Sequence, residues 1–281
     1  MKNDVFQFLQ DFYTNRKLVK GLNSSFISLI PKKMCPEGLV DYRPICLVGV
    51  IYKILAKILS KRLGKVLPNV ISEVQTTFLE GRNIFDGVMI ANEVVDWLEK
   101  SKRKGVILKL DFEKAYDSIN LEYLFSMMHN LGLGEKWVEW MRSCVTTVRV
   151  SVLVNGSPTE EFSPQKGLRQ GDPLSPFLFN IVAQGLNVLL ERAKEMGLIK
   201  GPSVGMSDLR LSYLQFADDT LLFCEAEWAE IVNVKRILRC FEVISKLKIN
   251  FHKSVVCGVG ISEEESQLLP QSCFACVKNY L

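Results

Sequence analysis

The most constraining feature of the chain is an apolar hairpin with two adjacent acids at its tip. Residues 209–216 read as a strand, residues 217–220 as a turn and residues 221–224 as the returning strand. Asp is a common turn residue, but Asp218 and Asp219 are both ionised near neutral pH and repel each other. A divalent cation would turn that repulsion into attraction, and carboxylate oxygens suit Mg²⁺. The pattern predicts an antiparallel pair of strands that ends in either an ordinary acidic turn or a metal site.

A third acid follows a separate apolar strand. Residues 106–110 read as a strand, and Asp111 stands at its end. If this strand neighbours the hairpin, the three carboxylates meet and can bridge two Mg²⁺ ions roughly 3.5 to 4 Å apart. In such a site one ion activates an attacking hydroxyl and the other neutralises the leaving pyrophosphate. The three acids therefore favour a nucleotidyl transferase over a structural role.

The remaining patterns alternate helices with strands. Helical spacing of apolar residues predicts helices at residues 4–15, 50–67, 84–100, 121–131, 134–146, 177–196 and 227–247. Strands are predicted at residues 25–30, at residues 148–154 before the turn Asn155-Gly156, and within residues 247–259. The segment 31–44 is predicted to be a basic loop. This order indicates an α+β fold, in which helices back an antiparallel sheet.

Charge is distributed unevenly along the chain. Residues 1–110 carry 18 Lys and Arg against 10 Asp and Glu, whereas the remainder carries 17 against 21. A basic part joined to an acidic part is typical of a protein that holds a polyanion with one and cations with the other, although Lys-rich helices can also serve solubility alone. The helix at residues 50–67 carries one row of lysines, Lys53, Lys57, Lys61 and Lys65.

That helix could lie on a membrane or fit a partner's groove, but we favour a packed helix whose lysines face solvent and phosphates. No apolar run approaches the roughly 18 to 20 residues that cross a bilayer. We therefore expect an intracellular, soluble protein without a membrane partner.

Seven segments resemble the motifs of reverse transcriptases and occur in the same order. Motifs A, B and C correspond to Asp111–Asp117 (DFEKAYD), Gly167–Pro176 (GLRQGDPLSP) and Phe216–Asp219 (FADD). The finger motifs and motif D of the plant LINE-type (non-LTR) retrotransposon group are similar to Leu29–Lys32 (LIPK), Asp41–Ile45 (DYRPI), Gln75–Arg82 (QTTFLEGR) and Leu247–Ser254 (LKINFHKS). The chain departs from that group at Thr76-Thr77, where small residues are usual, and at Phe216, where Tyr is usual.

The resemblance implies a right-hand polymerase fold and RNA-directed DNA synthesis. Such a domain extends a primer 3′-hydroxyl with dNTPs on an RNA template and uses two Mg²⁺ ions. It also implies a division into fingers and palm, together with action in the nucleus. The expected segments are fingers at residues 1–104, the motif A part of the palm at 105–124, a connection at 125–165, and the rest of the palm at 166–281. Tyr280-Leu281 resembles the start of motif E, so we expect a fragment that lacks the thumb and has weak or no activity.

The resemblance also assigns roles to individual residues. Asp111 and Asp218 are the expected principal metal ligands, with Asp219 as a supporting carboxylate. The expected nucleotide-binding residues are Arg43 and Lys32 on the triphosphate, Tyr116 as the aromatic steric gate against a 2′-hydroxyl, Gln170 and Gly171 beside the nucleotide or template, and Lys253 as the acid that protonates pyrophosphate. Tyr116 could instead be a core residue, and Lys253 an ordinary solvated lysine. Asp117 is expected to cap the helix that begins near Asn120.

Three other interpretations stay open. The chain could be a non-catalytic nucleic-acid-binding remnant of a retrotransposon. It could be an RNA-dependent RNA polymerase, although an aromatic at Tyr116 and Ala217 in place of Gly argue against that class. Group II intron-type enzymes share the palm, but the segments LIPK and DYRPI favour the LINE group.

Overall fold

The structure is a computed structural model that describes residues 2–205, 209–261 and 276–279. The chain divides into two compact units. The first comprises Met1–Val66 and Tyr116–Leu178, and the second comprises Leu67–Ala115 and Phe179–Leu281. The predicted start of motif E, Tyr280-Leu281, lies outside the described residues.

The helices agree closely with the periodicity of the sequence. They are α1 (Lys2–Asn15), α2 (Val50–Val66), α3 (Ile84–Lys100), α4 (Ala115–Ser118), α5 (Leu121–Asn130), α6 (Glu135–Thr146), α7 (Ser175–Glu195) and α8 (Trp228–Ser245). Only the single turn α4 is absent from the prediction. The predicted cap of α5 is wrong: Asn120 caps this helix, because its side chain accepts a hydrogen bond from the Tyr123 N–H at 3.0 Å, and Asp117 lies inside α4.

The strands are β1 (Ser24–Pro31), β2 (Tyr42–Val48), β3 (Gly105–Leu110), β4 (Arg149–Val154), β5 (Ser157–Pro158), β6 (Ser203–Val204), β7 (Leu209–Arg210), β8 (Tyr213–Phe216), β9 (Asp219–Glu225), β10 (Val255–Val259) and β11 (Cys276–Asn279). The predicted strand at residues 209–216 is therefore two strands. β7 pairs with β6, whereas β8 belongs to the larger sheet.

The first unit is built around a four-stranded sheet of order β2-β1-β4-β5. β1 pairs antiparallel with β2 and parallel with β4. The prediction of a loop across residues 31–44 is wrong at its end, since β2 begins at Tyr42. Pro44 is compatible with β2 because this strand lies at an edge of the sheet, where the missing N–H need not join a second ladder. The β4–β5 hairpin turns at Asn155 and Gly156, whose φ angles of 50° and 82° fit the predicted turn.

The second unit is built around a five-stranded sheet of order β11-β10-β3-β9-β8. Its pairs are antiparallel except β10 with β11, as expected for the predicted antiparallel sheet backed by helices. Val94 and Leu98 of α3 pack in one buried cluster with apolar side chains of β8, β9 and β10. The ring of Phe241, from α8, contacts Phe112 just beyond β3. Helices thus cover the sheet that carries the predicted acids.

Candidate active site

Strand pairing brings the predicted acids to one end of the larger sheet. The last pair in the β3–β9 register joins Leu110 to Thr220. Asp111 follows Leu110 and Asp219 precedes Thr220, so each acid is the immediate chain neighbour of a residue in this last pair. Because paired strands lie about 5 Å apart, the backbones of Asp111 and Asp219 are close neighbours.

The backbone of Asp111 is fixed by the segment predicted as motif D. Its N–H donates to Ser254 Oγ at 3.2 Å, and its carbonyl accepts the Asn250 N–H at 2.8 Å. Lys253 lies between these two contacts and is exposed. The loop that carries Lys253 therefore contacts the backbone of Asp111, and the role of Lys253 stays a prediction.

The hairpin tip contains an unusual backbone conformation. Phe216 pairs with Asp219, so Ala217 and Asp218 form a two-residue loop. Ala217 has a φ of 58°, the left-handed region that glycine usually occupies at the first position of a type II′ turn. Holding a non-glycine residue there costs about 1–2 kcal/mol. Gln75 Oε1 accepts the Ala217 N–H at 3.0 Å and so supports the strained turn.

The three carboxylates interact electrostatically. The Asp218 side chain is largely exposed, yet partial burial raises the pKa of its carboxyl, and the negative charges of Asp219 and Asp111 raise it further. Lys109 Nζ lies 3.7 Å from Asp219 Oδ1, and both side chains are more than half exposed. An exposed pair of this kind contributes at most about 1 kcal/mol, so a competing cation could displace the lysine.

The residues present fit a divalent cation in donor chemistry. Carboxylate oxygens are the ligands that Mg²⁺ prefers, and a cation would relieve the repulsion that raises the pKa of Asp218. However, in the parts of the chain that the structure describes, no three His, Cys, Asp or Glu side chains form a group that could hold a metal ion as they stand. The backbones of Asp111, Asp218 and Asp219 are thus close together, but their carboxylates do not converge closely enough to coordinate one ion as they stand.

Two predicted phosphate-binding residues lie in the first unit. Arg43, on the edge strand β2, is exposed, and its guanidinium has no hydrogen-bond or ion-pair partner among the described residues. The Lys32 ammonium donates to the Val40 carbonyl at 2.8 Å. The Arg43 guanidinium is therefore available to a ligand, whereas the Lys32 ammonium would have to give up its hydrogen bond to the Val40 carbonyl before it could bind one.

The glycines of the motif B loop are explained by close contacts within the first unit. Gly171 has a φ of 99°, and a Cβ there would lie 2.8 Å from the Cys46 carbonyl oxygen. Gly167 has a φ of 85°, and a Cβ there would lie 2.6 Å from the Asp117 carbonyl oxygen. The Cys46 N–H donates to the Gln170 carbonyl at 2.7 Å, which ties the loop to β2. The Gln170 side chain is half-buried and makes no hydrogen bond to another described residue.

Sequence reasoning missed a buried ion pair in the same loop. Arg169 Nη2 lies 2.7 Å from Asp172 Oδ2, and the two side chains are only 7% and 5% exposed. Tyr52 donates its hydroxyl to the same carboxylate oxygen at 2.7 Å, and the Leu174 N–H donates to the other oxygen at 2.9 Å. The signal in the sequence was the opposite charges of Arg169 and Asp172, three residues apart in a loop of glycine and proline, which could have indicated an ion pair. These residues fasten the loop to α2.

Tyr116, the predicted steric gate, is half-buried. Its carbonyl accepts the Leu168 N–H at 2.7 Å, so its backbone is bonded to the start of the motif B loop. Tyr116 and Gln170 are consequently carried by connected segments of the first unit.

The row of lysines on α2 forms a surface that we call the lysine ridge: Lys53, Lys57, Lys61 and Lys65. All four side chains are exposed, and none has an acidic partner within the described part of the protein. Arg62, by contrast, packs against the rings of Trp137 and Trp140, 5.3 and 5.5 Å from their centroids. Since four-residue spacing on a helix is a rise of about 6 Å, the ridge is a line of unpaired positive charge about 18 Å long.

No helix within the described ranges has the length and hydropathy of a membrane span.

Two adjacent acids at a hairpin tip and a third acid just beyond the neighbouring strand lie at one end of a helix-backed sheet, and carboxylates in such a pattern suit two-metal nucleotidyl transfer. The fold is similar to that of telomerase from Candida albicans, solved in complex with the TWJ fragment of telomeric RNA. The TM-score is 0.59 at 16% identity, over 92% of this chain and 45% of that one.

The Reverse transcriptase (RNA-dependent DNA polymerase) family matches residues 30–268, and the chain belongs to this family. It is 29% identical over 254 residues to the Transposon TX1 uncharacterized 149 kDa protein of Xenopus laevis, covering 89% of this chain and 19% of that protein. It is also 29% identical over 232 residues to the Pol polyprotein of the type-2 retrotransposable element R2DM of Drosophila melanogaster, covering 82% and 21%. The chain is thus a non-LTR retrotransposon reverse transcriptase domain, and it spans about a fifth of these relatives' length.

A shorter match involves a plant protein. An uncharacterized mitochondrial protein of Arabidopsis thaliana is 46% identical over 68 residues, which is 24% of this chain and 56% of that protein.

Proposed function

We propose that the chain catalyses RNA-directed DNA synthesis at the end of the larger sheet. The observation that carries the proposal is the register of β3 and β9, which sets Asp111 beside the Asp218-Asp219 turn. A bound divalent cation would make three neighbouring carboxylates favourable, and two-metal polymerase chemistry supplies such cations.

Asp111, Asp218 and Asp219 would hold the two Mg²⁺ ions. When bound, the ions would activate the primer 3′-hydroxyl and neutralise charge on the leaving pyrophosphate. The ladder between β3 and β9 supports this role because it holds the backbones next to Asp111 and Asp219 together, and the bonds from residues 250 and 254 hold the backbone of Asp111. Lys253, held in the same loop, would give a proton to the pyrophosphate oxygen.

The first unit would bind the nucleotide and the template. Arg43 would engage the triphosphate with its unpaired guanidinium, and Lys32 would join it after leaving the Val40 carbonyl. Gln170 and Gly171 would lie beside the nucleotide or template. Tyr116 would exclude a 2′-hydroxyl and so select deoxynucleotides.

The proposed partners are an RNA template, a DNA primer and dNTPs. The similarity to a telomerase solved with RNA supports the template, and the lysine ridge supplies charge for a phosphate backbone. A plant LINE-type origin is supported by the finger segments and by the Arabidopsis match. Action in the nucleus follows from the same resemblance, and so does the division into fingers at residues 1–104 and palm at 105–124 and 166–281.

Primer extension by the purified chain tests the proposal. The Asp218→Asn variant should lose Mg²⁺-dependent incorporation of dNTPs, because one ligand charge is removed. Asp96→Asn is the matched control, since Asp96 is an exposed acid of α3 whose carboxylate pairs with Lys100. Measurable extension by wild type that is unchanged in Asp218→Asn would refute the assignment of the site.

A second candidate function is nucleic-acid binding without catalysis. The observation that favours it is the Lys109–Asp219 pair, because the lysine offsets the charge of one acid without a metal. In addition, no three acidic, His or Cys side chains among the described residues form a group that could hold a metal ion. Salt-sensitive binding of primer–template by a wild-type chain that fails to extend it would support this alternative over the polymerase.

A further inference from the structure

Gln75 makes a long-range contact to the acidic hairpin. Its side chain is 1% exposed, and its Oε1 accepts the Ala217 N–H at 3.0 Å. The same oxygen accepts the Thr77 N–H at 3.3 Å and the Thr77 hydroxyl at 2.9 Å. The three donors converge on one acceptor, so the position of Oε1 is closely defined.

The segment around Gln75 is joined to the hairpin by its backbone as well. The Gln215 N–H donates to the Val74 carbonyl at 2.9 Å, and the Thr76 N–H donates to the Gln215 carbonyl at 3.0 Å. Gln75 and Gln215 therefore form a parallel bridge. Residues 74–76 thus extend the larger sheet beyond β8, which was its last strand.

The guanidinium of Arg82 organises the loop that presents Gln75. It donates to the carbonyl of Gln75 at 2.8 Å, and the other carbonyls that it contacts belong to Pro68, Ile71 and Ser72. These four carbonyls around one cation fix the segment that leads up to Gln75 and the backbone of Gln75 itself. The acceptor is therefore preorganised before it meets the hairpin.

The turn needs this acceptor because of its conformation. Ala217 is buried and adopts a positive φ, and its N–H points to Gln75 rather than into a strand ladder. A turn held in a disfavoured conformation persists only when its surroundings fix it. Asp218 follows directly, so the orientation of its carboxylate depends on that of Ala217.

We propose that Gln75 is a positioning residue for the acidic hairpin, acting through the Ala217 amide to fix the direction of Asp218. The expected effect of Gln75 on catalysis rests on the proposed function, whereas its role in fixing the turn does not. Gln75 touches no reacting atom in this scheme. Its partner at the hairpin is the Ala217 backbone amide, not a carboxylate.

Amide hydrogen exchange measured by NMR tests the structural part. In Gln75→Leu, which keeps the bulk and removes the acceptor, the Ala217 amide should exchange about tenfold faster or more, as expected for the loss of one hydrogen bond. The Leu108 amide in the same sheet should keep its protection. If Gln75→Leu does not fold, Gln75→Asn withdraws the acceptor by one methylene and should give the same local change.

Gln184→Leu is the matched control. Gln184 is also buried and accepts a backbone N–H from the same loop, that of Ser72 at 3.1 Å, but it does not bond Ala217. Its replacement should leave Ala217 exchange unchanged. Unchanged exchange in Gln75→Leu, or an equal acceleration in the control, would overturn the inference.

Steady-state primer extension tests the catalytic part. Gln75→Leu should lower kcat about tenfold while the KM for dNTP stays within about twofold, because binding groups are untouched and only the orientation of Asp218 changes. Wild-type kcat in Gln75→Leu would overturn the positioning role and leave the polymerase assignment standing. Absence of extension by wild type would instead refute the proposed function, while the exchange result would still decide whether Gln75 fixes the turn.

Discussion

Removal of the Asp172 carboxylate should destabilise the first unit more than any other single change in the motif B loop. In Asp172→Ala, Arg169 stays buried without its anion, and the hydroxyl of Tyr52 loses its acceptor. Burial raises the pKa of Tyr52 well above its usual value, so that hydroxyl keeps its proton and needs an acceptor. Breaking a buried ion pair from one side costs about 3–5 kcal/mol of unfolding free energy.

The cost should fall when both charges are removed together. In Arg169→Met/Asp172→Leu no charge stays buried, and replacement of a whole buried pair by apolar residues is often nearly neutral. The remaining penalty is the orphaned Tyr52 hydroxyl, about 1–3 kcal/mol. Tyr52→Phe alone should cost about 1.5–3 kcal/mol, because it removes a hydrogen bond to a charged group.

Urea unfolding followed by tryptophan fluorescence measures these differences, since Trp137 and Trp140 lie in the same unit as the ion pair. The double variant should be more stable than Asp172→Ala. If the double variant loses as much unfolding free energy as Arg169→Met and Asp172→Leu lose in sum, the two charges act independently. The reasoning about an uncompensated buried cation would then be wrong.

Three further outcomes follow from the first unit. Gly171→Ala should lower the free energy of unfolding in urea by about 2–4 kcal/mol, because the new Cβ would meet the Cys46 carbonyl at a positive φ. Gly132→Ala is the control: its φ is 77° but the space around it is open, so the loss should be about 1 kcal/mol. Replacement of the whole lysine ridge by Gln should reduce the slope of log affinity for single-stranded nucleic acid against log salt by about 3, and an unchanged slope would exclude the ridge from binding. Burial raises the pKa of the Cys46 thiol to about 11, so at pH 8 maleimide should label exposed Cys35 far faster, and equal rates would contradict the assigned burial. Labelling of Cys46 should accelerate as the pH approaches 11, because its thiolate is populated only there.

Local pattern was sufficient for most of the fold. Helices with a clear apolar face, such as α2 and α3, were predicted within a residue or so of their observed ends. β2 was missed because a strand containing Pro44 looks like a loop until β1 is known to lie beside it. The division of residues 209–216 into β7 and β8 likewise depends on two different partner strands.

The site divides in the same way. Asp111 and the hairpin acids were identifiable because each stands at the end of an apolar strand, although their adjacency needed the β3–β9 register. Gln75 was not identifiable as a support of the turn, because its acceptor meets an amide 142 residues away. Arg169 and Asp172 were hidden for a related reason, since their burial depends on α2.

The alternation of the chain between its two units has a consequence for biosynthesis. β1, which begins at residue 24, pairs with β4, so it cannot complete this pairing until residue 149 has been synthesised. At about 5–20 residues per second, that delay is roughly 6–25 s. β3 waits in the same way for β9, which begins at residue 219. Nascent chains of this protein therefore carry unpaired apolar strand edges for many seconds, and slower translation would lengthen the period in which they can aggregate or recruit chaperones.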